Sequence, residues 1–447
     1  MGWLKWRLCD VMRIPLALCC RWRKLSTLSI IFVIFIIYWN EWWDRPLYRR
    51  PCPFTVGEIV QFNLGTAVLS PAHRQKPVDC AALFRGEAQE ISYARQFEWC
   101  YRLNEITPES LLELTKDCRV FHEKTNSFSH HVTPEEKDFP LAFSILVYKD
   151  IEQIIRLVHA IHRPQNYYCI HIDSKSPQVF KEALQSMTKC FQNVFIASEF
   201  VDVRWAEFSV LLAEIVCLRD LWKYSKWKYF INLTGMEFPI RSNWELVHIL
   251  KAYKGANDID GTPHKRPLIW TKYVWRREFW MSWTEKSAPP PNVLITKGSA
   301  HIAATRAFIG YALFNKTAQD LLEWMKDIRV PDEHFFSTLN HNPHLGIPSA
   351  YKGDPDLKLF YNRFKIWETP NETCAGRWIR QICNLGVGDL HRLLPARELF
   401  LNKLNLQIDP VGYRCNEEWY RNRTLSHKNP DFNLSFYENL PFVNNHS

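Results

Sequence analysis

Two short acidic motifs are the first candidates for chemistry in this sequence of 447 residues. Asp258-Ile-Asp260 has a spacing with which two carboxylates can hold a divalent metal ion. Pro331-Asp332-Glu333 contains a carboxylate that could act as a general base, but proline followed by acidic residues is also an ordinary helix start. The sequence contains no P-loop, no G-x-G-x-x-G after the first predicted strand and no H-E-x-x-H. These motifs alone do not identify a reaction.

Alternating strands and helices are predicted to position these residues. Apolar runs predict buried strands at 141–148, 168–172, 193–197 and 229–233. Helical periodicity predicts helices at 151–162, 179–187 and 205–224. This order is typical of βαβ units, so we predict an α/β fold with a mainly parallel sheet flanked by helices. Ligands of such sheets bind beyond the carboxyl ends of the strands, which places Tyr148 and Asp173 near a nucleotide crevice.

The N-terminal region predicts a membrane anchor. Residues 25–39 carry no charge, and tryptophans follow them at the expected interface. Six basic residues and one acidic residue precede this run, so the positive-inside rule predicts a lumenal orientation for the rest of the chain. A cleaved signal peptide is the alternative, but the small residues needed for cleavage do not follow the run. The predicted regions are a cytosolic tail at 1–24, a transmembrane signal anchor at 25–43, a stem and accessory region at 44–138, and a catalytic domain at 139–447.

Composition and cysteine content fit a folded protein of the secretory pathway. Hydrophobic residues make up 47% and charged residues 23% of the chain, which excludes a mainly disordered protein, a collagen and a coiled-coil rod. The net charge of +9 comes partly from the N-terminus, and we predict no nucleic-acid binding. Of 13 cysteines, ten follow the predicted anchor, where an oxidising lumen favours structural disulfides.

Glycosylation sequons are spread over the predicted lumenal part. Those predicted to be accessible to glycosylation are Asn315, Asn371, Asn422 and Asn433. A further sequon is at Asn445. The sequon at Asn232 lies inside an apolar run, where we expect the asparagine to be buried and unmodified.

Several longer motifs occur in a fixed order along the chain. They include Phe139-Pro-Leu-Ala-Phe-Ser-Ile-Leu-Val, Arg163-Pro-Gln-Asn-Tyr-Tyr-Cys-Ile-His-Ile-Asp173, Tyr229-Phe-Ile-Asn-Leu-Thr-Gly-Met-Glu-Phe-Pro-Ile240, Gly298-Ser-Ala, Val330-Pro-Asp-Glu333 and Val387-Gly-Asp-Leu390. Together they resemble the β-1,6-N-acetylglucosaminyltransferase family, which contains the core 2 and I-branching enzymes. The resemblance runs from about residue 80 to residue 415.

This resemblance implies a GT-A-like fold and an inverting sugar transfer from a UDP donor, with no metal and no other cofactor. In the family, basic side chains neutralise the leaving diphosphate, and the matching residues here are Arg380 and Lys403. Without the resemblance, both would be interpreted as solvated surface charges. Glu333 matches the catalytic base, which takes the proton of an acceptor 6-hydroxyl. Asp258-Ile-Asp260 is then not a metal site.

The resemblance also implies donor-binding and acceptor-binding residues. Positions matching the UDP-sugar site are Leu146, Val147, Tyr148, Asp173, Lys175 and Trp205, and positions matching acceptor contacts are Asp260 and Trp367. Trp205 stands where a tyrosine is usual, and it could instead be a core aromatic residue of the helix predicted to begin there. Thr369 replaces an expected tyrosine, and segment 267–272 replaces expected basic residues. These departures leave the acceptor and the donor sugar open.

The cysteine spacing is similar to that of the family as well. By resemblance the disulfide pairs are Cys80–Cys415, Cys118–Cys190, Cys169–Cys217 and Cys374–Cys383. Cys52 and Cys100 are left over. They could pair with each other, stay free or link a homodimer.

We therefore expect a single-pass type II Golgi membrane enzyme with a lumenal catalytic domain. It would transfer N-acetylglucosamine from UDP-GlcNAc to the 6-hydroxyl of GalNAc or galactose in an O-glycan or glycoprotein acceptor, forming a β-1,6 branch. One alternative is another donor on the same scaffold, such as UDP-glucose or UDP-xylose. The other is a non-catalytic Golgi binding protein, against which the joint presence of Glu333, Arg380 and Lys403 argues.

Overall fold

The computed structural model describes residues 78–97, 106–125, 132–263, 268–275, 284–357, 360–426, 429 and 431–447. The predicted cytosolic tail and signal anchor, together with Cys52 and Cys100, lie outside these residues. Within the described ranges, no helix combines the length and the apolar character needed to cross a membrane.

Strands occur throughout the described residues. In chain order they are β1 (Leu141–Val147), β2 (Tyr167–Ile172), β3 (Val194–Ile196), β4 (Tyr229–Thr234), β5 (Glu237–Pro239), β6 (Asp258–Ile259), β7 (Ile302–Thr305), β8 (Arg363–Phe364), β9 (Arg377–Ile379), β10 (Ile382–Asn384) and β11 (Phe400–Asn402). Six of them form the central sheet in the order β3-β2-β1-β4-β7-β6. A second sheet has the order β5-β11-β8, and β9 and β10 form a hairpin.

The first four strands of the central sheet run parallel. Strand β1 lies between β2 and β4, with Leu146 opposite His171 on one side and Thr234 on the other. Strand β3 pairs in parallel with β2. Strand β7 is antiparallel to both of its neighbours, β4 and β6. The predicted mainly parallel sheet is therefore confirmed, and the carboxyl ends of β1, β2 and β4 share one edge.

Helices connect these strands and cover them. In chain order they are α1 (Cys80–Phe84), α2 (Ala88–Phe97), α3 (Pro108–Leu114), α4 (Cys118–Lys124), α5 (Pro134–Lys137), α6 (Ile151–Ile161), α7 (Gln178–Thr188), α8 (Phe208–Trp222), α9 (Asn243–Ala252), α10 (Ile269–Lys272), α11 (Arg306–Phe314), α12 (Lys316–Trp324), α13 (Phe335–Asn340), α14 (Pro410–Leu425) and α15 (Leu434–Glu438). The three helices predicted between β1 and β4 are confirmed as α6, α7 and α8.

Both faces of the central sheet are buried. Phe143 and Ile145 belong to one apolar cluster, which they share with side chains of α6, α7 and α9. Ala142, the residue before Phe143, faces the opposite side and belongs to a second cluster with side chains of α8, α11 and α12. Because both faces are covered, the sequence of β1 is a continuous apolar run rather than an alternating one. This core holds the carboxyl edge of the sheet in place.

Helix α8 begins later than predicted. Ala206 has a left-handed φ of 66° and Glu207 is extended, so helical geometry starts only at Phe208. Trp205 therefore precedes the helix, and its side chain is 62% exposed. The alternative that placed Trp205 in the core is wrong.

Three of the predicted disulfides are formed, namely Cys80–Cys415, Cys118–Cys190 and Cys374–Cys383. The fourth is not, because Cys169 and Cys217 are buried free thiols. Their sulfur atoms lie 2.8 Å apart between β2 and α8, a contact longer than a disulfide bond of about 2.05 Å. The proximity of this pair, which the resemblance implied, is confirmed, and the covalent bond is not.

The sequons differ in their surroundings. Asn232 is buried in β4, as predicted, where its amide nitrogen donates to the carbonyl of Ala300 at 2.7 Å and its amide oxygen accepts from the N–H of Ile302 at 2.8 Å. Asn315 is half-buried and caps α12. The exposed ones are Asn371, Asn422, Asn433 and Asn445.

Candidate active site

The carboxyl edge of β1 and β2 carries four of the predicted donor-binding residues. Leu146 and Val147 end β1, and Tyr148 follows them with 57% of its side chain exposed. The N–H of Asp173 donates to the carbonyl of Val147 at 3.0 Å, and the hydroxyl of Ser176 donates to the carbonyl of Tyr148 at 3.0 Å. These bonds join the two strand ends into one rim.

Lys175 is held by carboxylates beside this rim. Its ammonium lies 2.9 Å from Oδ1 of Asp173 and 2.5 Å from Oδ1 of Asp202. It also donates to the carbonyl of Val203 at 2.6 Å. Hydrogen bonds from Arg204 and then Lys175 lower the pKa of Asp202 to about 2. Lys175 therefore orders the loop that leads to Trp205.

Glu333 lies on a single 3-10 turn, Pro331–Glu333. Val330 enters this turn with a left-handed φ of 50°, and its N–H donates at 3.0 Å to the carbonyl of Ala206, the residue after Trp205. The Glu333 side chain is 31% exposed, and its Oε2 lies 2.7 Å from Nζ of Lys297. Among the described residues, its Oε1 has no hydrogen-bond partner. One oxygen is thus held while the other can accept a proton.

Asp332, the neighbouring acid, has a different environment. Burial, and then the charge of Glu333, raises the pKa of Asp332 to about 7. Its Oδ1 is enclosed and has no hydrogen-bond partner in the part of the chain that the structure describes. A substrate could not reach that oxygen, whereas the side chain of Glu333 is 31% exposed.

The two acids of Asp258-Ile-Asp260 are in separate surroundings. Asp258 is fully buried, with one oxygen 3.4 Å from the hydroxyl of Tyr253 and the other 3.4 Å from the N–H of Tyr361. Asp260 is half-buried, and its charge acts on the ammonium of Lys365. The first acid therefore stabilises the fold, and the second belongs to the site.

Within the described ranges, one group of three side chains has the spacing of metal ligands. That group consists of Cys374, Cys383 and Asp389. Its two cysteines are joined in a disulfide, which removes them as thiolate ligands.

Arg380 lies at the tip of the β9–β10 hairpin. Arg380 and Gln381 have left-handed φ values of 52° and 62°, as in a two-residue hairpin turn. The disulfide Cys374–Cys383 links β10 to the segment before β9. The N–H of Leu385 donates to the carbonyl of Lys403 at 3.0 Å. Burial, and then the charge of Arg380, lowers the pKa of Lys403. The two cations are thus close enough to repel each other, and a diphosphate between them would relieve that repulsion.

A buried ion network fixes the strand that leads to Lys403. Glu237 is fully buried and accepts from Nδ2 of Asn402 at 2.7 Å and from Nε of Arg363 at 3.1 Å. Nε2 of His301 lies 2.6 Å from the same carboxylate. Burial alone would raise the pKa of Glu237, but Arg363 and His301 more than offset it and hold the pKa well below its usual range. The network makes β11 a rigid support.

Cations and indole rings alternate between the hairpin and the base. The guanidinium carbon of Arg380 lies 5.7 Å from the ring centroid of Trp205. That of Arg329 lies 5.7 Å from Trp205 and 4.8 Å from Trp270. Nζ of Lys297, which pairs with Glu333, lies 5.6 Å from the Trp270 ring. We call this set the cation–indole row; its members are Arg380, Trp205, Arg329, Trp270 and Lys297.

Trp367 is attached to the same hairpin. It is bridged to Ile382 of β10, and half of its side chain is exposed. Nζ of Lys365 lies 5.8 Å from its ring centroid. The indole predicted to contact the acceptor is therefore connected to the structure that carries Arg380.

Four residues of the site are absent from the sequence prediction. Lys297 directly precedes the matched Gly298-Ser-Ala motif, and Lys365 stands two residues before Trp367, so their closeness to predicted residues was the available signal. Arg329 and Trp270 belong to no motif, and only packing brings them into the cation–indole row.

The arrangement places the carboxylate of Glu333, 31% exposed, across the cation–indole row from the cations Arg380 and Lys403. A carboxylate in this setting can deprotonate a nucleophile, and fixed cations can stabilise a departing phosphate. The exposed rings of Tyr148, Trp205 and Trp367 provide surfaces on which a base or a sugar can pack.

Comparison with known proteins gives the family. The profile described as Core-2/I-Branching enzyme matches residues 141–394. Human β-1,3-galactosyl-O-glycosyl-glycoprotein β-1,6-N-acetylglucosaminyltransferase 3 is 34% identical over 373 residues, which are 79% of this chain and 85% of that protein. The human enzyme of the same name without the number is 32% identical over 367 residues, 78% of this chain and 86% of that protein. A Bovine herpesvirus 4 (strain DN-599) protein of that name is 34% identical over 375 residues, with 79% and 84% covered.

The matched region contains Glu333, Arg380 and Trp367, and the identity to the relatives extends over most of both chains. These matches and the sequence motifs indicate the same family. The protein belongs to the core-2/I-branching enzyme family.

Proposed function

We propose that this protein is an inverting β-1,6-N-acetylglucosaminyltransferase that uses UDP-GlcNAc and acts on the 6-hydroxyl of GalNAc or galactose in an O-glycan. The observation that carries the proposal is the Glu333 carboxylate, which is held by one oxygen and accessible through the other, across the cation–indole row from Arg380 and Lys403. The names of the relatives support the donor sugar and the linkage.

The proposed chemistry has one nucleophile and one leaving group. Glu333 takes the proton of the acceptor 6-hydroxyl as that oxygen attacks the anomeric carbon from the face opposite to the diphosphate. The bond between the anomeric carbon and the β-phosphate oxygen breaks, and UDP leaves with the electron pair. Arg380 and Lys403 stabilise the negative charge that builds on the diphosphate, which is the role a metal has in other enzymes.

The remaining predicted residues bind the two substrates in this proposal. The rim of Leu146, Val147, Tyr148 and Asp173 receives the nucleotide, since ligands of parallel sheets bind at the carboxyl edge. Lys175 orders the loop that presents Trp205 to the donor. Asp260 and Trp367 contact the acceptor sugar. The parallel α/β sheet with its donor residues at that edge supports a GT-A-like fold.

The cellular setting is part of the same proposal. An uncharged run at 25–39 that follows basic residues supports a type II anchor, with the catalytic domain at 139–447 in the Golgi lumen. The disulfides in the described part of the chain support an oxidising compartment. Exposed Asn371, Asn422 and Asn433 and half-buried Asn315 are the proposed glycosylation sites. Cys52 or Cys100 could link a homodimer, which non-reducing electrophoresis would detect.

The test uses the full-length protein in detergent with Galβ1-3GalNAc as acceptor and EDTA present. UDP-GlcNAc, UDP-glucose and UDP-xylose are offered in separate reactions, and the linkage of the product is determined by NMR. A β-1,6-linked N-acetylglucosamine product supports the proposal. If a product forms only with another donor, the proposed mechanism is retained and UDP-GlcNAc is the wrong donor. A requirement for manganese would contradict the metal-free mechanism.

The base is tested with Glu333→Gln, which should abolish transfer and leave UDP binding intact. Glu323→Gln changes an exposed glutamate on α12 and is the matched control. If neither donor hydrolysis nor transfer occurs with the wild-type protein and a panel of O-glycan acceptors, a non-catalytic role is the better interpretation.

A further inference from the structure

A lysine that no motif identifies lies beside the indole of the proposed acceptor site. Lys365 follows β8 directly and is half-buried, with its ammonium 5.8 Å from the ring centroid of Trp367. Burial lowers the pKa of Lys365 to about 8, while the charges of Glu237, Glu333 and Asp260 act in the opposite direction. The ammonium therefore lies beside the indole proposed for the acceptor, and the charges of the proposed base and of Asp260 act on it.

Two hydrogen bonds hold the ammonium in place. It donates to Oγ of Ser299 at 3.0 Å and to Nδ1 of His301 at 3.2 Å. On its other side, the His301 ring lies 2.6 Å from Oε1 of Glu237 through Nε2. Burial lowers the pKa of His301 to about 4, so the imidazole is neutral. With its proton on Nε2, facing Glu237, the ring has Nδ1 as an acceptor, and both Oγ of Ser299, at 3.1 Å, and the ammonium of Lys365, at 3.2 Å, lie beside it.

The third N–H of the ammonium has no partner among the described residues. A lysine ammonium carries three donors, and two of them are used by Ser299 and His301. Glu333 is paired instead with Lys297 at 2.7 Å, and no carboxylate of the described ranges lies within ion-pair distance of Lys365. An ammonium N–H that no side chain or carbonyl of the described residues accepts is available to an acceptor oxygen of a substrate.

We propose that Lys365 is an acceptor-binding residue that donates its third N–H to a hydroxyl or carbonyl oxygen of the sugar packed on Trp367. The proposal rests on the proposed function, because it places the acceptor between Trp367, Asp260 and Glu333. The contacts of His301 with Glu237 and with Lys365 orient the ammonium. The Trp367 ring, on which the sugar packs, fixes the distance between the sugar and that ammonium. Lys365 then helps to select which sugar is presented to the base.

The test compares Lys365→Met with the wild type in the full-length protein. Methionine keeps an unbranched stem and removes the donors. The KM for Galβ1-3GalNAc should rise about tenfold or more, the loss expected for a hydrogen bond to a charged group, while the KM for UDP-GlcNAc stays within about twofold. Lys352→Met, at an exposed lysine, should leave both values unchanged.

Acceptor analogues that each lack one hydroxyl or the N-acetyl group make the test specific. One of them should lose about tenfold in affinity for the wild type and almost nothing for Lys365→Met, because the variant has already lost that hydrogen bond. Analogue losses that are equal in the two proteins would overturn the proposal. An equal rise of both KM values together with a lower melting temperature would assign Lys365 to the fold instead.

The failure of the proposed function is distinguishable from the failure of this inference. If the wild-type protein transfers no sugar, equilibrium binding of the same acceptor to wild type, Lys365→Met and Lys365→Arg still tests Lys365. Weaker binding to the methionine variant with partial recovery in the arginine variant supports the inference. Equal binding to all three proteins contradicts it.

Discussion

The ammonium of Lys297 lies 2.7 Å from Oε2 of Glu333, and the N–H of the next residue, Gly298, donates at 2.8 Å to the main-chain carbonyl of Glu333. Glu333 is therefore attached through both its side chain and its backbone to one short segment. That segment is itself fixed, because Lys297 exchanges two backbone hydrogen bonds with Thr262, at 2.8 and 3.0 Å. A side chain added at Gly298 would collide with the carbonyl of Asp260, so the segment passes tightly between the proposed base and acceptor residues.

The first prediction concerns this attachment. Lys297→Met should lower kcat by roughly tenfold to a hundredfold, because a carboxylate released from its ion pair loses the orientation that deprotonation needs. The KM for UDP-GlcNAc should hardly change. Steady-state kinetics with each substrate varied in turn would measure both quantities.

Two further variants make this prediction specific. Lys297→Arg keeps the positive charge and should recover part of kcat. Lys316→Met changes an exposed lysine of α12 and should behave as wild type. A Lys297→Met protein with an unchanged kcat would show that Lys297 does not position Glu333.

The second prediction concerns the leaving group. Arg380→Ala should lower kcat by about a hundredfold or more, the typical loss when one electrostatic stabiliser of developing charge is removed. Arg377 is exposed in the same hairpin, so Arg377→Ala is the matched control and should retain activity. Transfer and donor hydrolysis are measured in both proteins. A wild-type rate in Arg380→Ala would assign that residue to the solvated surface.

The third prediction concerns Trp205. Trp205 is 62% exposed, and its ring centroid lies 5.7 Å from the guanidinium carbons of Arg329 and Arg380, so it supports the site and contributes little to the core. Trp205→Ala should raise the KM for UDP-GlcNAc about tenfold, and Trp205→Tyr should retain most of the affinity.

The melting temperature separates this role from a structural one. It should be unchanged in Trp205→Ala, as it should be in Phe314→Ala, which removes another exposed ring. A large drop in melting temperature without a change in the donor KM would contradict the placement of Trp205 in the donor site.

The fourth prediction concerns stability in mildly acidic compartments. Burial lowers the pKa of His159 from 6.5 to about 3, and the ring packs between Phe121 and Phe191. The unfolded chain therefore takes up a proton below pH 6.5, whereas the folded protein does so only near pH 3. The contribution of His159 to the free energy of unfolding falls by roughly 1.4 kcal/mol for each pH unit between these limits.

His159→Phe removes this titration and keeps an aromatic ring. Its hydrogen bond to the carbonyl of Thr125 is lost at every pH, so the variant starts from a lower stability. Its free energy of unfolding should nevertheless decrease less than that of the wild type between about pH 7 and about pH 5, as urea titrations would show. Parallel pH curves for the two proteins would rule out His159 as a source of acid sensitivity.

The strands and helices from Leu141 to Thr234 could be predicted because their cause is local. Burial on both faces makes β1 a continuous apolar run, and the helical repeat of α6 and α7 follows from covering one face of the sheet. The start of α8 could not be predicted. The apolar periodicity predicts a helix from Trp205, but the left-handed backbone at Ala206 delays its start. The pair Cys169 and Cys217 shows a related limit, since the family resemblance indicated their proximity and not whether a bond is formed.

By itself, the sequence determined the order of the strands and helices of the parallel sheet, the family, and the presence of Glu333, Arg380 and Lys403. These features depend on local apolar periodicity and on motifs, and both can be recognised in the linear sequence. Only the tertiary structure decided that Lys297 pairs with Glu333, that Arg329 lies among three indoles, and that His301 lies between Glu237 and Lys365. Each of these contacts joins residues from separate segments, and a contact of a few ångströms depends on how the intervening chain packs rather than on any pattern within either segment.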